Sequence, residues 1–323
     1  MANLSETLSL RVIRMEWEAE GVISVALARP DGGELPAFAP GAHIDLILPN
    51  GVTRSYSLSG DPADRLRYVV GVGLDAKSRG GSSYIHNQLR VGQILQVSEP
   101  RNHFPLVEDA PMVVLIAGGI GITPLYCMAR RLAALGRPYE MHYATRNAAR
   151  MAFLPQMRAL GGPVHVHYDE EQGGSPLDVA AIFSRYPAGT HYYCCGPVPM
   201  LAAFEAAGAA AGIPDANIHV EYFTAKPQNA VAPSAGFTVV LARSGKEIMV
   251  PSDKSILEML SINGVKVESS CQDGICGTCE VKVLEGIPDH RDSVLTKAEQ
   301  AANKSMMVCV SRCKGERLVL DIG

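Results

Sequence analysis

The amino-acid sequence predicts a multidomain protein built from three consecutive parts: an antiparallel β-barrel, an α/β domain with a parallel sheet, and a smaller α+β domain at the C-terminus. Three observations support this fold class. Short alternating apolar runs fill the first third, strand-like and helix-like segments alternate in the middle third, and three cysteines cluster near the end. A length of 323 residues also exceeds that of one ordinary domain.

The composition narrows the class of protein. With 47% hydrophobic and 19% charged residues, the chain is expected to be packed and globular. The formal net charge is -4 and basic residues form no long run, which argues against a nucleic-acid partner. The longest apolar run, "MVVLIAGGIGITPLY", is short for a membrane span, and the N-terminus has no apolar signal segment. A cytoplasmic protein without a membrane partner is therefore expected.

The first third carries the strand pattern of a small barrel. Residues 8–105 contain the alternating runs "LSLRVIRME", "GVISVALAR", "HIDLILP", "YVVGVG" and "QILQVSEP". Turns rich in Gly, Pro and Asp separate these runs. Several short strands at such spacing predict an antiparallel β-barrel.

Two pieces interrupt the barrel pattern: the extended segment "RSYSLS" and the glycine-serine turn "KSRGGSSYIH", which runs into a helix start. They supply an arginine, a planar aromatic and short donors: Arg54, Ser55, Tyr56, Ser57, Gly80, Gly81 and Ser82. In the extended segment Arg54 and Tyr56 lie on one face, and Ser55 and Ser57 on the other. Such groups suit a flat ring that carries a phosphate, although Arg54 by itself is equally compatible with an ordinary surface arginine.

The middle third predicts a parallel sheet with covering helices. Strand-like runs occur at "MVVLIA", "YEMHYAT", "VHVHYD", "HYYCCG" and "IHVEYF" within residues 111–225. Helical patterns such as "LYCMARRLAALG" and "PMLAAFEAAGAAAG" follow several of them. This alternation is typical of βαβ units.

The first strand of this sheet runs into the glycine-rich turn "AGGIGITP". Gly118, Gly119 and Gly121 allow a tight turn and the close approach of a diphosphate. Thr123 is expected to N-cap the next helix, and Pro124 suits its first turn. The turn departs from G-x-G-x-x-G by ending in Thr-Pro, so alone it is a weak signal.

A second glycine turn follows a later strand in "YYCCGPVPM", which contains Cys195, Gly196 and Pro197. Two such turns at the carboxyl ends of parallel strands form a crevice in which a dinucleotide can lie. Cys195 has an ordinary alternative as a buried strand cysteine. Its position at the strand end, before Gly-Pro, favours a role in the crevice.

The cysteine cluster has the spacing Cys271-x4-Cys276-x2-Cys279, and Cys309 lies thirty positions further on. This pattern is that of plant-type [2Fe–2S] ferredoxins, in which two irons need four thiolates. Cys313 competes for the fourth place. Cys309 is favoured because the apolar alternation "MMVCV" predicts a strand that holds a ligand rigidly.

The loop between the cysteines is expected to wrap closely around inorganic sulfide. Gly274 and Gly277 lie where the backbone must approach the cluster, so that N–H groups point at the sulfurs. A zinc site prefers paired C-x2-C units and leaves Cys271 without a role. Buried free thiols are a third, less favoured interpretation of this spacing.

The motifs together resemble known families. Residues 235–323 resemble plant-type ferredoxins, which have a β-grasp fold. R-x-Y-S, G-G-x-G-x-T-P and C-G-P resemble the ferredoxin–NAD(P)H reductase superfamily. Their order along the chain resembles the phthalate dioxygenase reductase and vanillate demethylase reductase family. The resemblance implies FMN rather than FAD, NADH as electron donor, a [2Fe–2S] cluster, and a Rieske non-haem iron oxygenase as partner.

The same resemblance implies roles for individual residues. The flavin would contact Arg54, Ser55, Tyr56, Ser57, Gly80, Gly81, Ser82 and Phe223. The nucleotide would contact Gly118, Gly119, Gly121, Thr123, Pro124, Thr145, Arg146, Asp169, Cys195, Gly196 and Pro197. Cys195, Thr123 and Ser57 would stand at the reacting rings, and the iron ligands would be Cys271, Cys276, Cys279 and Cys309. The preference for NADH rests on the resemblance, since Arg146 could also serve a 2′-phosphate; Cys194 and Cys313 receive no role.

The expected domains are residues 1–105 for the flavin, 106–228 for the nucleotide and 229–323 for the cluster. "AKPQNAVAPSAG", residues 225–236, is expected to be the linker before the last domain. The combination predicts an enzyme, an NADH-dependent oxidoreductase. A cytochrome P450 or a carnitine-type monooxygenase is an alternative electron acceptor. An iron–sulfur redox sensor and a zinc-binding interaction module are alternatives without this reaction.

Overall fold

The computed structural model describes residues 7–224 and 236–323. The chain divides into two compact units, Met1–Phe223 and Thr224–Gly323. The first contains both the expected barrel and the expected α/β domain. The predicted linker lies outside the described residues except for Gly236. The predicted boundary between residues 228 and 229 lies outside them as well, so it stays a prediction.

The first unit begins with an antiparallel barrel. Its strands are β1 (Leu8–Ala19), β2 (Val22–Ala28), β3 (Ala42–Ile47), β4 (Thr53–Ser57), β5 (Tyr68–Gly73), β6 (Ile94–Val97) and β7 (Arg101–Asn102), with helix α1 (Gly81–Asn87) after β5. The order is β4-β3-β6-β1-β2-β5, and β7 pairs with β3. A bridge between Leu58 and Val70 joins the two edge strands, and the Ser59 N–H donates to the Val69 carbonyl at 2.8 Å. The sheet thereby closes, which confirms the predicted barrel.

The second part of this unit is a parallel sheet with helices. Its elements are β8 (Val113–Gly118), α2 (Ile122–Ala134), β9 (Tyr139–Thr145), α3 (Leu154–Ala159), β10 (Val164–Tyr168), α4 (Ala180–Phe183), β11 (His191–Cys195), α5 (Val198–Ala210) and β12 (Ile218–Glu221). All pairs are parallel, in the order β10-β9-β8-β11-β12. The strand order reverses between β8 and β11, which is where ligands bind in open α/β sheets.

One helix start differs from its prediction. Thr123 does not N-cap α2, because the 3₁₀ turn Gly119–Gly121 leads directly into a helix that begins at Ile122. Thr123 therefore lies within the first turn, and its hydroxyl donates to the Ile120 carbonyl at 3.1 Å. The glycines before it let the backbone coil earlier than the capping signal suggested. Pro124 lies in the first turn, as predicted.

The second unit has the predicted α+β composition. Its elements are β13 (Phe237–Leu241), β14 (Glu247–Val250), α6 (Ile256–Ile262), β15 (Glu280–Glu285), β16 (Pro288–Asp289), α7 (Lys297–Ala302), β17 (Ser305–Met307), β18 (Arg312–Cys313) and β19 (Arg317–Leu320). The main sheet has the order β14-β13-β19-β15-β17, and only β13 and β19 pair in parallel. The cysteine loop connects α6 to β15.

None of the helices in residues 7–224 and 236–323 combines the length and the apolar character that crossing a membrane requires.

Candidate functional site

Arg54 and Gly81 are in direct contact at one end of the barrel. A Cβ atom placed on Gly81 would lie 2.6 Å from the Arg54 Cγ, so a larger residue at this position would clash with the Arg54 side chain. The Arg54 guanidinium donates to the carbonyls of Thr53 at 2.7 Å and Arg79 at 3.3 Å. Gly80, which precedes α1, has a φ of 91°, a backbone conformation that favours glycine. The structure thus brings the segments "RSYSLS" and "KSRGGSSYIH" together around the Arg54 guanidinium.

The two serines of β4 face different partners. The Ser55 hydroxyl donates to the Asp45 carboxylate at 2.6 Å, and the same carboxylate pairs with Arg101 at 2.6 Å. Because Asp45 is buried, this network holds β3, β4 and β7 together. The Ser55 hydroxyl is therefore used within the barrel, which argues against a cofactor contact through its side chain. Sequence analysis did not detect the Asp45–Arg101 pair.

Tyr56 lies on the opposite face of β4 from Ser55, opposite Ile44 of β3. Burial raises the pKa of its hydroxyl to about 12, so the ring remains a neutral aromatic at physiological pH. The ring also packs against the apolar interior of the barrel. It is thereby a fixed planar surface beside Arg54.

The two glycine turns of the parallel sheet pack directly on each other. A Cβ on Gly118 would lie 2.6 Å from the Pro197 Cδ, and one on Gly121 would lie 2.1 Å from the Cys195 carbonyl oxygen. A Cβ on Gly196 would meet the Gly118 Cα at 3.0 Å. The glycines are therefore required for the ends of β8 and β11 to approach. The two predicted turns therefore meet at the reversal of strand order, and a nucleotide crevice beside them stays a prediction.

Gly119 differs from its neighbours in this crevice. Its φ is 54°, and a Cβ there would meet no atom within 4 Å. The Tyr143 hydroxyl donates to its carbonyl at 3.1 Å and fixes the turn. Gly119 therefore presents bare backbone to open space, as close approach of a diphosphate requires.

Thr123 and Phe223 pack near the two glycine turns, one against the barrel and the other against the core of the α/β part. The Thr123 methyl group lies 2.5 Å from the Cβ position of Gly71 in the barrel strand β5, so helix α2 begins against the barrel. Phe223 is partly buried and packs against the core of the α/β part. Both residues lie within the first compact unit.

Glu221, at the end of β12, was missed by sequence analysis. Its carboxylate accepts a hydrogen bond from the Ser57 hydroxyl at 3.3 Å. Burial raises the pKa of this carboxyl to about 8. Burial, followed by the nearby Glu221, raises the pKa of the Cys195 thiol well above its ordinary value. The signal in the sequence was a single acidic residue in the otherwise apolar strand "IHVEYF".

The turns after β9 and β10 form an acidic edge beside Arg146. The Glu170 N–H donates to the Arg146 carbonyl at 3.0 Å, and the Glu170 carboxylate accepts from the Asn147 side chain at 3.1 Å. Asp169 lies 3.4 Å from the His167 ring. The Thr145 hydroxyl is used in its own turn, donating to the Asn147 carbonyl at 2.9 Å. The turn that carries Asp169 and Glu170 is thus bonded to the backbone of the exposed Arg146.

The four predicted iron ligands form two pairs in the second unit. Cys271 shares a hydrogen bond with Cys276, and Cys309 shares one with Cys279. These bonds lower the pKa of Cys276 and of Cys279, and they raise the pKa of their partners. Electrostatic interaction also links Cys276 with Cys279, and Cys271 with Cys309. The two pairs therefore lie near each other.

Backbone N–H groups point at these sulfurs. The Asp273 N–H donates to the Cys271 sulfur at 3.3 Å, and the Gly274 N–H is directed at Cys309. Gly274 and Gly277 have φ values of 70° and 73°, which confirms the predicted need for glycine in the loop. Such donors stabilise negative charge on coordinated sulfur.

Cys309 does not lie in a strand, contrary to the prediction. Strand β17 ends at Met307, and the Ser311 N–H bonds back to the Met307 carbonyl at 3.0 Å to form a turn. The turn directs Cys309 towards Cys279. Cys313 lies in β18, where its sulfur accepts from the Gly315 N–H at 3.2 Å. The pairing of Cys309 rests on the turn and not on strand rigidity.

The paired arrangement is unlike a single tetrahedral ion site. Four sulfurs about 2.3 Å from one zinc ion lie about 3.8 Å apart. Within the described parts of the chain, the group that brings three ligand atoms within 4.8 Å of one another contains no cysteine. Two thiolate pairs fit two irons, each with two protein ligands.

Comparison with known proteins identifies the C-terminal domain and full-length relatives of the chain. Residues 239–314 match the family model of the 2Fe-2S iron-sulfur cluster binding domain. The chain is 49% identical to phenoxybenzoate dioxygenase subunit beta from Ectopseudomonas oleovorans, and the match covers 98% of this chain and 97% of that protein. The similarity thus extends over all three expected parts.

Solved structures show the same architecture. Phthalate dioxygenase reductase, a modular structure for electron transfer from pyridine nucleotides to [2Fe–2S], is 38% identical with a TM-score of 0.71, and the match covers 98% of both chains. An intact type IV self-sufficient cytochrome P450 monooxygenase is 42% identical with a TM-score of 0.89 over 98% of this chain. This chain spans 41% of that longer protein.

The closed barrel, the glycine turns after β8 and β11 and the paired cysteines are the features of an iron–sulfur flavoprotein reductase. Full-length similarity at this level specifies the family further. The chain belongs to the phthalate dioxygenase reductase family. It is an oxidoreductase of the kind found in oxygenase systems, and its cofactors are FMN, NADH and a [2Fe–2S] cluster.

Proposed function

We propose that this chain is the NADH-dependent reductase component of a Rieske non-haem iron oxygenase, of the aromatic-ring dioxygenase or demethylase type. One observation carries the proposal: the chain matches 97% of the length of a dioxygenase subunit. The glycine turns of the parallel sheet and the paired cysteines agree with that match. The flavin is needed because it accepts two electrons at once and releases them singly. The expected domains, 1–105, 106–228 and 229–323, are part of the proposal.

The flavin phosphate is proposed to bind at Arg54. Contact of Arg54 with Gly81 leaves the guanidinium beside the start of α1, where the Gly80 and Gly81 backbone and Ser82 lie. The Ser82 hydroxyl donates to Ser78 at 3.1 Å and accepts from the Asp75 N–H, which orders this turn. A fixed cation with backbone donors is the arrangement that binds phosphate. The neutral ring of Tyr56 is assigned to the flavin ring.

The nicotinamide is proposed to lie beside Cys195, between the crevice and the barrel. Gly118, Gly119, Gly121, Pro124, Gly196 and Pro197 shape the crevice, while Thr123, Ser57 and Phe223 border the flavin side. Cys195 is fully buried in the apolar core and its pKa is raised, so its side chain is a neutral thiol. Glu221 is half-buried and accepts a hydrogen bond from Ser57, so we add it to this group.

The adenosine half of NADH is assigned to the turns after β9 and β10. Thr145 and Arg146 stand at the end of β9, and Asp169 stands at the end of β10. A carboxylate beside the adenosine ribose accepts hydrogen bonds from its hydroxyls and repels a 2′-phosphate. Asp169 and Glu170 give these turns a net negative charge despite Arg146, and this charge favours NADH over NADPH.

Cys271, Cys276, Cys279 and Cys309 are the proposed ligands of the [2Fe–2S] cluster. Their two hydrogen-bonded pairs correspond to two irons with two thiolates each. Backbone donors from Asp273 and Gly274 would stabilise the reduced cluster, whose charge is more negative. Cys313 is assigned no ligand role.

The decisive experiment is reconstitution with purified acceptors. The holoprotein, NADH and a Rieske oxygenase with its aromatic substrate should give hydroxylated or demethylated product in proportion to NADH consumed. The same assay with a cytochrome P450 tests the other acceptor, which the 42% identity to the self-sufficient P450 favours as a second candidate. Coupled turnover with the P450 and none with Rieske oxygenases from several families would reject the proposed partner.

A further inference from the structure

We propose that Glu140, His142 and His165 form a binding site for a divalent transition-metal ion of the zinc class. One ligand atom from each residue lies within 4.8 Å of the other two. In the part of the chain that the structure describes, these are the His, Cys, Asp or Glu residues that meet this condition. None of them belongs to the flavin, nucleotide or cluster sites described above.

The register of two parallel strands brings the three side chains together. His142 of β9 is paired with His165 of β10, and their rings stack at 4.6 Å. Glu140 precedes His142 by two positions and therefore shares its face of the sheet. The intervening residues, such as Met141, fill the apolar core on the other face. The strand register thus places all three side chains next to one another before any ion arrives.

A hydrogen-bond network already links the polar atoms of the three residues. The His165 Nε2 and the Tyr186 hydroxyl each lie 2.9 Å from the same Glu140 oxygen. The His142 Nε2 lies 2.7 Å from the Tyr186 hydroxyl. An ion that displaces the proton between His165 and Glu140 and the proton between His142 and Tyr186 would leave Tyr186 as a hydrogen-bond donor to Glu140. Such an outer partner orients a coordinating carboxylate.

Exposure differs among the three residues in a way that suits ion entry. His142 is 3% exposed and anchors the group inside the sheet. The side chains of His165 and Glu140 are 50% and 29% exposed, so the group opens to solvent on one side. The stacked rings do not yet converge on one point, and a turn of the exposed His165 ring would bring its nitrogen onto a shared ion. Water can fill the remaining coordination positions.

The ligand set selects the class of ion. Two imidazole nitrogens and one carboxylate oxygen form a set that zinc binds with nitrogen or oxygen ligands about 2.0–2.2 Å away. Nickel, cobalt and copper share this preference, whereas magnesium and calcium prefer all-oxygen sites. An ion here would join β9, β10 and the segment after α4 that carries Tyr186. Binding to the folded state alone raises the unfolding temperature.

The site is separate from the nucleotide. His142 lies three residues before Thr145, about 10 Å along the strand from the edge at which NADH is proposed to bind. An ion on His142 would therefore not contact the nucleotide directly. Its effect is expected on strand cohesion rather than on the reacting rings.

The test uses the holoprotein with its flavin and cluster intact. Calorimetric titration with Zn²⁺ should reveal one zinc per chain, and zinc K-edge absorption should show nitrogen or oxygen neighbours near 2.0–2.1 Å. A sulfur shell near 2.3 Å would show zinc on cysteines instead and would overturn the proposal. So would the absence of any stoichiometric binding.

Matched variants localise the ion. His165→Ala, a change at an exposed position, should weaken zinc binding at least about 10-fold, and Glu140→Gln should weaken it while keeping a hydrogen-bonding side chain. His167→Ala is the control, because His167 lies two positions further on the same strand. Equal weakening by His165→Ala and His167→Ala, or no effect of His165→Ala, would refute the site. His142 is left intact because its burial makes folding of a variant uncertain.

Discussion

The Ser57 hydroxyl donates a hydrogen bond to the Glu221 carboxyl at 3.3 Å, although the two residues are 164 positions apart in sequence. Ser57 ends a barrel strand and Glu221 ends the last strand of the parallel sheet. The bond therefore connects the two parts of the first unit at the edge that carries Cys195. Burial raises the pKa of the Glu221 carboxyl to about 8, so a large share of it is protonated at neutral pH.

This raised pKa predicts how stability depends on pH. The folded state retains the Glu221 proton to higher pH than the unfolded state, whose ordinary value is 4.5. The stabilising contribution is therefore complete below about pH 4.5 and is lost as pH rises towards 8. In Glu221→Gln that slope should disappear. Thermal unfolding of the holoprotein from pH 5 to 8.5 measures the difference between wild type and variant.

The matched control for that experiment is Glu171→Gln, at an exposed position in the turn after β10. It should follow the wild-type curve. If Glu221→Gln keeps the wild-type slope as well, the carboxyl is charged in the folded protein and the burial argument is wrong. Flavin reduction by NADH, measured on the same samples, shows whether the carboxyl also affects the reaction.

Arg54→Ala should purify depleted in FMN. A hydrogen bond to a charged group contributes about 1.5–3 kcal/mol, which corresponds to about one to two decades of affinity. FMN titrated into the apoprotein, followed by quenching of flavin fluorescence, gives the dissociation constant. Arg67→Ala, which removes an exposed arginine paired with Asp64, should bind FMN normally. Normal affinity in Arg54→Ala, or FAD released in place of FMN, would contradict the assignment.

The strands and their order along the chain could be predicted because apolar alternation reports local geometry. "YEMHYAT" and "YVVGVG" coincide with β9 and β5 over their full length. Two finer predictions were wrong, since the start of α2 depends on the preceding 3₁₀ turn and the position of Cys309 depends on where β17 stops pairing. Both are set by contacts that a local pattern does not contain.

The contacts that sequence analysis missed join distant segments. Glu221 gains its partner Ser57 only when the barrel meets the parallel sheet, and Asp45 gains Arg101 only when β7 pairs with β3. The cysteine loop was predictable because its ligands lie close in sequence and glycine is required at fixed positions. Short-range chemistry is thus visible in the sequence, whereas long-range pairing becomes visible only in the fold.

Cys309→Ser should remove the cluster, and Cys313→Ser should retain it. Cys309 shares a hydrogen bond with Cys279, while Cys313 bonds to backbone groups of its own turn. Iron and acid-labile sulfide should fall to near zero in the first variant, and reduction of the flavin by NADH should continue. The reverse result, with the cluster lost from Cys313→Ser and kept in Cys309→Ser, would exchange the two assignments.

Gly121→Ala and Gly119→Ala should have different effects. A Cβ on Gly121 would lie 2.1 Å from the Cys195 carbonyl oxygen, a backbone atom that cannot turn aside, so a loss of about 3 kcal/mol in the free energy of unfolding is expected. A Cβ on Gly119 meets open space, and only its left-handed backbone costs about 1 kcal/mol. Gly119→Ala should instead raise KM for NADH. Denaturant unfolding and steady-state kinetics distinguish the two, and equal stabilities would show that the crevice is looser than the contact implies.

A chain ending at Thr224 should keep the flavin chemistry and lose the cluster chemistry. The first compact unit ends at Phe223, and its barrel and parallel sheet have their own apolar cores. The shortened protein should bind FMN and pass electrons from NADH to ferricyanide, which accepts them from flavin directly. It should fail to drive the oxygenase, because the single-electron exit through the four cysteines is missing.

Cys195→Ala in the intact chain should give the complementary result. Cys195 is fully buried at the end of β11, where the nicotinamide is proposed to lie, so the variant should slow the flavin step that precedes both exits. Stopped-flow absorbance separates reduction of the flavin from reduction of the cluster. The variant should therefore be slow with ferricyanide and with the oxygenase alike, whereas the shortened chain is slow with the oxygenase alone. If the shortened chain supports oxygenase turnover at the native rate, electrons reach the oxygenase without the cluster. The order NADH, FMN, [2Fe–2S] would then be wrong.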